Sequence, residues 1–349
     1  LPGNDSNSLN SNFINCILAE EDHIWFGTET GGINLLNPRR LSIRSYRHDK
    51  ENLSSLSCNP VNAVYEDKYG TLWVGTVEGG LNRKEPGSER FTHYTRERGG
   101  LSHNSVSALT ADRNNRLWVG TWGGGINWLD LKTPQSVQKV ISSQTSNGFP
   151  VDFIGALAYD SINNGVWIGA NQGLYFYDIA KEELASPLAG QAAANVHGCI
   201  GSIIDRDGKL WIGCLEGVYI VDLQSRSAEG EFQYRHLNYK LDDPDSRLIE
   251  KITCFYEAKD GTLWLGSNGF GIYKRIINPE GKEKFFSYNT THGLPNNSVR
   301  GILEDNNGNI WIGTNYGLSC YHPVENRFIN YTKYDGLIDT QFYWNASCR

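Results

Sequence analysis

Leu117-Trp118-Val119-Gly120-Thr121-Trp122-Gly123-Gly124-Gly125 is one of seven copies of a single phrase. An apolar residue, Trp, a second apolar residue and Gly are followed by a short turn that ends in Gly. The tryptophans are Trp25, Trp73, Trp118, Trp167, Trp211, Trp264 and Trp311, spaced by 48, 45, 49, 44, 53 and 47 residues. Two residues on stand Gly27, Gly75, Gly120, Gly169, Gly213, Gly266 and Gly313, and the turns close at Gly32, Gly80, Gly125, Gly173, Gly217, Gly271 and Gly317. A repeat of this length suits one four-stranded propeller blade. The sequence therefore predicts an all-β chain, a seven-bladed β-propeller of four-stranded antiparallel blades over residues 1–334. Residues 335–349 are expected to open a further repeat, or to supply a closing strand that leads to a next domain.

Outward from the phrase, each repeat reads strand by strand. Ser105 to Leu109 is β-prone and ends in the turn cluster Asp112-Arg113-Asn114-Asn115. Leu117 to Thr121 is a second strand, Trp122 to Gly125 a turn that needs positive φ, and Ile126 to Leu129 a third strand. Aromatics mark a fourth, outer strand at Phe91–Tyr94, Phe232–Tyr239, Phe285–Tyr288 and Phe328–Tyr331, with weaker traces at Val137–Ile141 and near Leu184. The repeat Trp is the largest apolar residue of each blade and is read as the wedge between neighbouring blades. On the first strand a small residue recurs, at Cys16, Ala63, Ala108, Ala156, Ser202, Cys254 and Gly301, as expected where inner strands crowd an axis. The residue before it is short in six repeats and Arg300 in the last, a long cation near the mouth of the axial channel. Arg300 reads either as a salt-bridged or snorkelling side chain or as a contact to an anionic or hydroxylated ligand.

With 32 Lys and Arg against 39 Asp and Glu, the net charge is −7, and no basic face points to nucleic acid. No apolar run approaches the roughly 20 residues of a membrane span. The first residues, Leu1-Pro2-Gly3-Asn4, carry no signal peptide and read as a cut end. Seven cysteines include no C-x-x-C pair, and they read as small buried residues rather than as redox or metal groups.

The pattern Asn-x-Val, Asp-x-x-Gly-x-Leu-Trp-x-Gly-Thr-x-x-Gly-Gly-Leu-Asn resembles the two-component regulator propeller repeat. It is best kept in Val61–Asn82, Val106–Asn127 and Val299–Leu318, and Gly100-Leu101-Ser102-His103-Asn104 and Gly293-Leu294-Pro295-Asn296-Asn297 resemble the linker phrase of that family. In the Trp167 and Trp211 repeats, Ala170 and Cys214 replace Thr and the double Gly becomes single, which predicts outward loops of another shape. The resemblance implies a periplasmic sensor region of a Bacteroides-type hybrid two-component system, in which propellers precede an immunoglobulin-like domain, a membrane helix and a histidine kinase. It implies an oligosaccharide ligand, a neighbouring propeller and an immunoglobulin-like domain of the same chain as partners, and leaves a homodimer open. The chain itself then carries no cofactor, no metal and no catalytic residue.

In such a propeller the turn after the second strand and the connection between blades lie on one face. The turns present Glu29, Glu78, Trp122, Gln172, Glu216, Phe270 and Tyr316, and the connections His103, His197 and Arg247. A sugar has apolar faces and a polar rim, so its site needs aromatic platforms beside hydrogen-bonding groups. Trp122, Phe270 and Tyr316 are the candidate platforms. Arg247, Arg300 and His103, with Glu29, Glu78 and Glu216, are the candidate polar contacts. The competing reading is that these aromatics cover a neighbouring domain, the chain being a scaffold without a ligand of its own. An enzyme is the third class. A sialidase would need several arginines on inner strands and only Arg300 stands there. A glycosidase or lyase would need a convergent acid and base, which glutamates on separate blade tips do not supply.

Overall fold

The phrase that ends in Gly125 forms two strands, Arg116–Thr121 and Ile126–Asp130. Val106–Ala111 lies inside them and Lys139–Ile141 outside, giving a four-stranded antiparallel sheet in chain order. The same order recurs around Trp73, Trp167, Trp211, Trp264 and Trp311. Outer strands form where the sequence marked them, at Phe91–Tyr94, Glu183–Ala185, Tyr234–Leu237, Glu283–Tyr288 and Arg327–Tyr331. The computed structural model describes residues 14–19, 24–28, 32–36, 45–137, 139–145, 150–188, 196–237, 251–335, 337, 339 and 342. It divides into two units, Leu1–Ser45 with Tyr331–Asp339, and Tyr46–Asn330 with Thr340–Arg349.

The expectation of seven blades is corrected: among the described residues the strands form six four-stranded blades. The Trp25 repeat forms a three-stranded sheet, Ile14–Ala19, Ile24–Thr28 and Gly32–Leu36, in the smaller unit. The physical reason lies in what the Trp phrase encodes. It specifies the second strand, the turn and the third strand, and says nothing of the fourth. Downstream of this repeat the first aromatic, Tyr46, packs edge-on against Phe91 at 5.6 Å, within the Leu56, Val74 and Phe91 cluster of the Trp73 sheet.

Within the larger unit, the core is a series of clusters, most of them shared by consecutive sheets. Trp118 packs 5.5 Å from Tyr177 of the next sheet, Trp167 4.9 Å from Phe232 and Trp264 5.7 Å from Tyr321. Over Trp211 lies the guanidinium of Arg275 from the next sheet, at 4.9 Å. The tryptophans thus wedge between blades. Each also needs a partner for its indole N–H once buried. An aspartate six or seven residues upstream supplies it: Asp67, Asp112, Asp160, Asp205 and Asp305 accept from Trp73, Trp118, Trp167, Trp211 and Trp311 at 2.8, 3.0, 3.2, 2.7 and 3.0 Å. The other oxygen of the same carboxylate holds the turn, as Asp112 Oδ1 accepts from the backbone of Asn114 and Arg116. In the Trp264 sheet this position is Ala258 and only the backbone turn remains, Ala258 N–H to Thr262 O.

These bonds make one blade sensitive to acid. Burial works to raise the Asp305 carboxyl, but donors from the Asn309 side chain, the Trp311 indole and the Asn309 and Asn307 backbone outweigh it and hold the pKa at about 2, below the ordinary 3.8. A depressed folded-state pKa contributes stability that is complete above the unfolded value and lost as pH falls through the folded one. Stability is therefore expected to fall between about pH 4 and about pH 2 in the wild-type chain, and Asp305→Asn should flatten that part of an acid-unfolding curve followed by circular dichroism. An unchanged curve would contradict this role.

Register sharpens the small position on the inner strand. Ala63, Ala108, Ala156, Cys254 and Gly301 each face the glycine two residues after the Trp. In the Trp211 sheet the residue facing Gly213 is Gly201, not Ser202. The reason is steric: a Cβ at Gly201 would run into the Thr253 carbonyl of the next inner strand. The small position is set by backbone approach.

Candidate functional site

The turns and the blade-to-blade connections do lie together. Trp122 N–H donates to Ser105 O at 2.8 Å within its own sheet, while Gly123 and Gly125 N–H donate to Asp152 O of the next connection at 2.9 and 3.0 Å. The Trp264 sheet repeats this, with Asn268 N–H to Lys251 O and Gly269 and Gly271 N–H to Asn297 O. Inside the turn a hydroxyl closes the loop: Thr76, Thr121, Ser267 and Thr314 donate to the carbonyl of Gly80, Gly125, Gly271 and Gly317 at 2.7–2.9 Å. Ala170 and Cys214 cannot, and their turns are one residue shorter than those after Thr76, Thr121 and Ser267, with Ala170 N–H bonding Gly173 O. The turn after Thr314 is equally short, so the length goes with the single Gly and not with the lost hydroxyl.

On this face the sequence candidates fall into separate groups. Trp122 is 45% exposed, and its ring meets that of Phe153, also 45% exposed, at 5.6 Å edge to face. His103 lies under the same turn. Its imidazole is what a side chain on Gly123 would touch first, and its Nδ1 accepts from Ser105 N–H at 3.1 Å. Phe153 was not among the sequence candidates. It occupies the slot of Pro60, Ser105, His197, Lys251 and Ser298, and a large apolar ring in a slot that elsewhere holds none is the signal that could have found it.

The second group belongs to the last blade. Arg300 is only 9% exposed, and its Nε donates to Asn315 Oδ1 at 2.7 Å. Burial pulls its guanidinium below the ordinary arginine value, with Cys254 nearby opposing this. Asn315 carries the neighbouring Tyr316, which is 63% exposed. Arg300 thus props the turn that presents Tyr316 and gives little of its own surface to solvent.

The remaining candidates separate. Phe270 is half-buried against the Trp211–Tyr273 cluster and serves packing. Glu216 is bound on both carboxylate oxygens, by His197 Nδ1 at 3.0 Å and His197 N–H at 3.2 Å. Glu78 is exposed on its turn. Glu29 and Arg247 lie outside the described residues. Among the described residues no three His, Cys, Asp or Glu side chains gather as a metal-ligand set.

Three concavities lie among the described residues, one of them a hollow of about 380 Å³ lined by Asp260, Thr262, Lys274 and Arg275 among others. The inner strands converge on an axial cavity of about 180 Å³ lined by Ala63, Ala108, Ala156, Gly201, Ser202 and Cys254 among others. That is below the roughly 300–1,000 Å³ of ligand pockets. A wider hollow of about 460 Å³ lies between the outer parts of the Trp211 and Trp264 sheets. Three of its charged groups pair, Glu283 bridging Arg235 at 2.6 Å and Arg275 at 2.5 Å. The turn face differs from these hollows in carrying the exposed Trp122–Phe153 ring pair.

Four segments, 55–78, 100–123, 248–269 and 293–316, match the profile of the two component regulator propeller family. These four segments are similar to the repeats of that family. An extracellular domain assigned to a hybrid two-component system of B. thetaiotaomicron superposes with a TM-score of 0.68 at 26% identity, covering 98% of this chain and 43% of that one. Histidine kinase P4 of Formosa agariphila is 28% identical over 149 residues, 41% of this chain and 10% of the kinase. PorZ, a surface component of the type-IX secretion system of Porphyromonas gingivalis, shares the fold, with a TM-score of 0.63 at 16% identity over 92% of this chain and 48% of its own. The chain thus spans less than half the length of each of these relatives. Among the described residues no helix is long and apolar enough to cross a membrane.

Proposed function

We propose that this chain is an extracytoplasmic, periplasmic sensing propeller of a hybrid two-component system, which binds glycan-derived oligosaccharides on its turn face without catalysing a reaction. The observation that carries the reading is the 26% identity over nearly the whole chain to an extracellular domain assigned to such a system. The turn face adds an aromatic pair, Trp122 with Phe153, whose exposed surface suits the apolar face of a sugar, beside His103 for its rim. Ligand binding would bias the arrangement of this propeller against its neighbours by no more than its differential affinity for the two arrangements.

A thermal-shift screen of neutral and acidic oligosaccharides tests the proposal, since a ligand that binds only the native state raises the melting temperature with concentration. One glycan class should shift it. Trp122→Ala is then expected to weaken binding about tenfold, equivalent to about 1.4 kcal/mol, without lowering the melting temperature of the free chain. Tyr316→Ala and Arg300→Lys test whether the last blade shares the site. No shift with any glycan, in this chain or in a longer one that includes its neighbours, would instead favour the scaffold reading, in which Trp122 and Phe153 cover another domain.

A further inference from the structure

In five of the six blades the inner strand opens with a pair of Cα partners that joins an aliphatic residue to Thr, Ser or Ala: Val61 with Thr76, Val106 with Thr121, Ile154 with Ala170, Ile252 with Ser267 and Val299 with Thr314. The Trp211 sheet places Cys199 and Cys214 there. Gly201 faces Gly213 as Ala156 faces Gly169, and Ile200 N–H donates to Gly213 O at 3.1 Å. A Cβ built on Gly169 would meet Cys199, as one on Gly120 would meet Ile154 and one on Gly266 would meet Val299. The two sulfurs are 3.1 Å apart, and both residues are almost wholly buried, at 1% and 2% exposure.

We propose that Cys199 and Cys214 close into a disulfide. The backbone bonds Leu215 N–H to His197 O and Ile200 N–H to Gly213 O bracket the pair, while Cys199 N–H turns away to Ala170 O. Such a pair exchanges no backbone bonds of its own, and its side chains stand closest together. Closing the remaining gap of roughly 1 Å to a bonded S–S length takes only small side-chain rotations. The bridge also fits a local deficit, because Cys214 replaces the Thr whose hydroxyl closes the turn in other blades. It pins the connection that carries His197 to the strand Lys209–Cys214.

The chemistry is thiol–disulfide exchange. One thiolate attacks a small-molecule or protein disulfide and expels a thiol, and the second thiolate then displaces the other half as a second thiol. The oxidant gains two electrons, and the protons of the two cysteines leave on its two thiols. Burial first, and then the neighbouring Cys199, push the folded Cys214 thiol well above its ordinary value. Closure therefore belongs to folding, before the pair is sealed. Closure in the cell rests on the extracytoplasmic reading, whereas closure of the purified chain does not.

The chain is unfolded, refolded with oxidised and reduced glutathione, alkylated under denaturing conditions without reductant and mapped by mass spectrometry. The expected result is a Cys199 peptide linked to the Cys214 peptide. Reductant should then lower the melting temperature by about 5 °C. Cys199→Val with Cys214→Thr, which restores the pair of three other blades, should fold and melt independently of reductant. Alkyl label on both Cys199 and Cys214 in the refolded wild type would overturn the proposal. If the purified chain closes but the chain from cells carries free thiols, the bridge stands and the extracytoplasmic reading fails.

Discussion

Trp118→Ala is expected to lower the unfolding free energy by about 3–5 kcal/mol, a large part of what holds a domain folded. The Trp118 side chain is 1% exposed and fills the space between its own sheet and Tyr177 of the next, within a cluster that includes Ile154, Val166 and Ile168. Truncation therefore opens a cavity at a seam between two blades, where neither sheet can collapse without breaking its own register. A second effect adds to the first. The indole N–H donates to Asp112 Oδ2 at 3.0 Å, and that oxygen loses its partner when the ring goes. Trp118→Phe keeps most of the ring and loses the donor, so it should cost about 1–3 kcal/mol. Comparing the two variants with Asp112→Ala and the double variants separates packing from the hydrogen bond. Denaturant unfolding is the measurement, and Trp122→Ala is the control: it differs by four positions, is 45% exposed and should change the midpoint little. Equal midpoints for Trp118→Ala and Trp122→Ala would remove the wedge from the account of this fold.

That contrast between two neighbouring tryptophans shows how far the sequence could be read. Trp118 recurs with the repeat, so its structural role follows from periodicity. Trp122 breaks the repeat, and periodicity marks it as exceptional without saying what it meets. The ring it meets, Phe153, comes from the next connection and reaches it only through backbone bonds between Gly123, Gly125 and Asp152. No local pattern encodes that meeting. The blade number failed for a related reason. The second and third strands are written into each Trp phrase, but the fourth is marked only by scattered aromatics, and after the Trp25 repeat the first of these, Tyr46, is spent on Phe91. Arg300 was legible as an outlier, but its burial and its bond to Asn315 were not, because they depend on the turn one strand away. The aspartates that cap five of the indoles were visible as turn formers, and their second oxygen found its use only in three dimensions.

The turn that presents Trp122 supplies the other large expected effect, because its last glycine cannot bear a side chain. Gly125 has φ +78, and a Cβ there would press into the carbonyl of Ile141. Gly125→Ala faces two separate penalties. The left-handed conformation alone costs an L-residue about 1–2 kcal/mol. The clash is larger, since the obstacle is backbone. Ile141 pairs with Ile126 in the outer strand, so moving it unzips Lys139–Ile141 from its sheet. It also pulls Gly125 N–H from Asp152 O, the link to the next blade. A total loss of at least about 3 kcal/mol is expected. Gly281→Ala isolates the first penalty, because Gly281 has a nearly equal φ of +75 and nothing within 4 Å of its Cβ position. It should cost about 1 kcal/mol, and denaturant unfolding of the two variants measures the difference. Two equal, small losses would mean that the outer strand yields freely and that the turn is not held by its closing glycine. The same displacement bears on function. Asp152 adjoins Phe153, so a Gly125→Ala chain that still folds should separate the Trp122 and Phe153 rings and lose glycan affinity together with stability, whereas Gly281→Ala should leave the affinity unchanged.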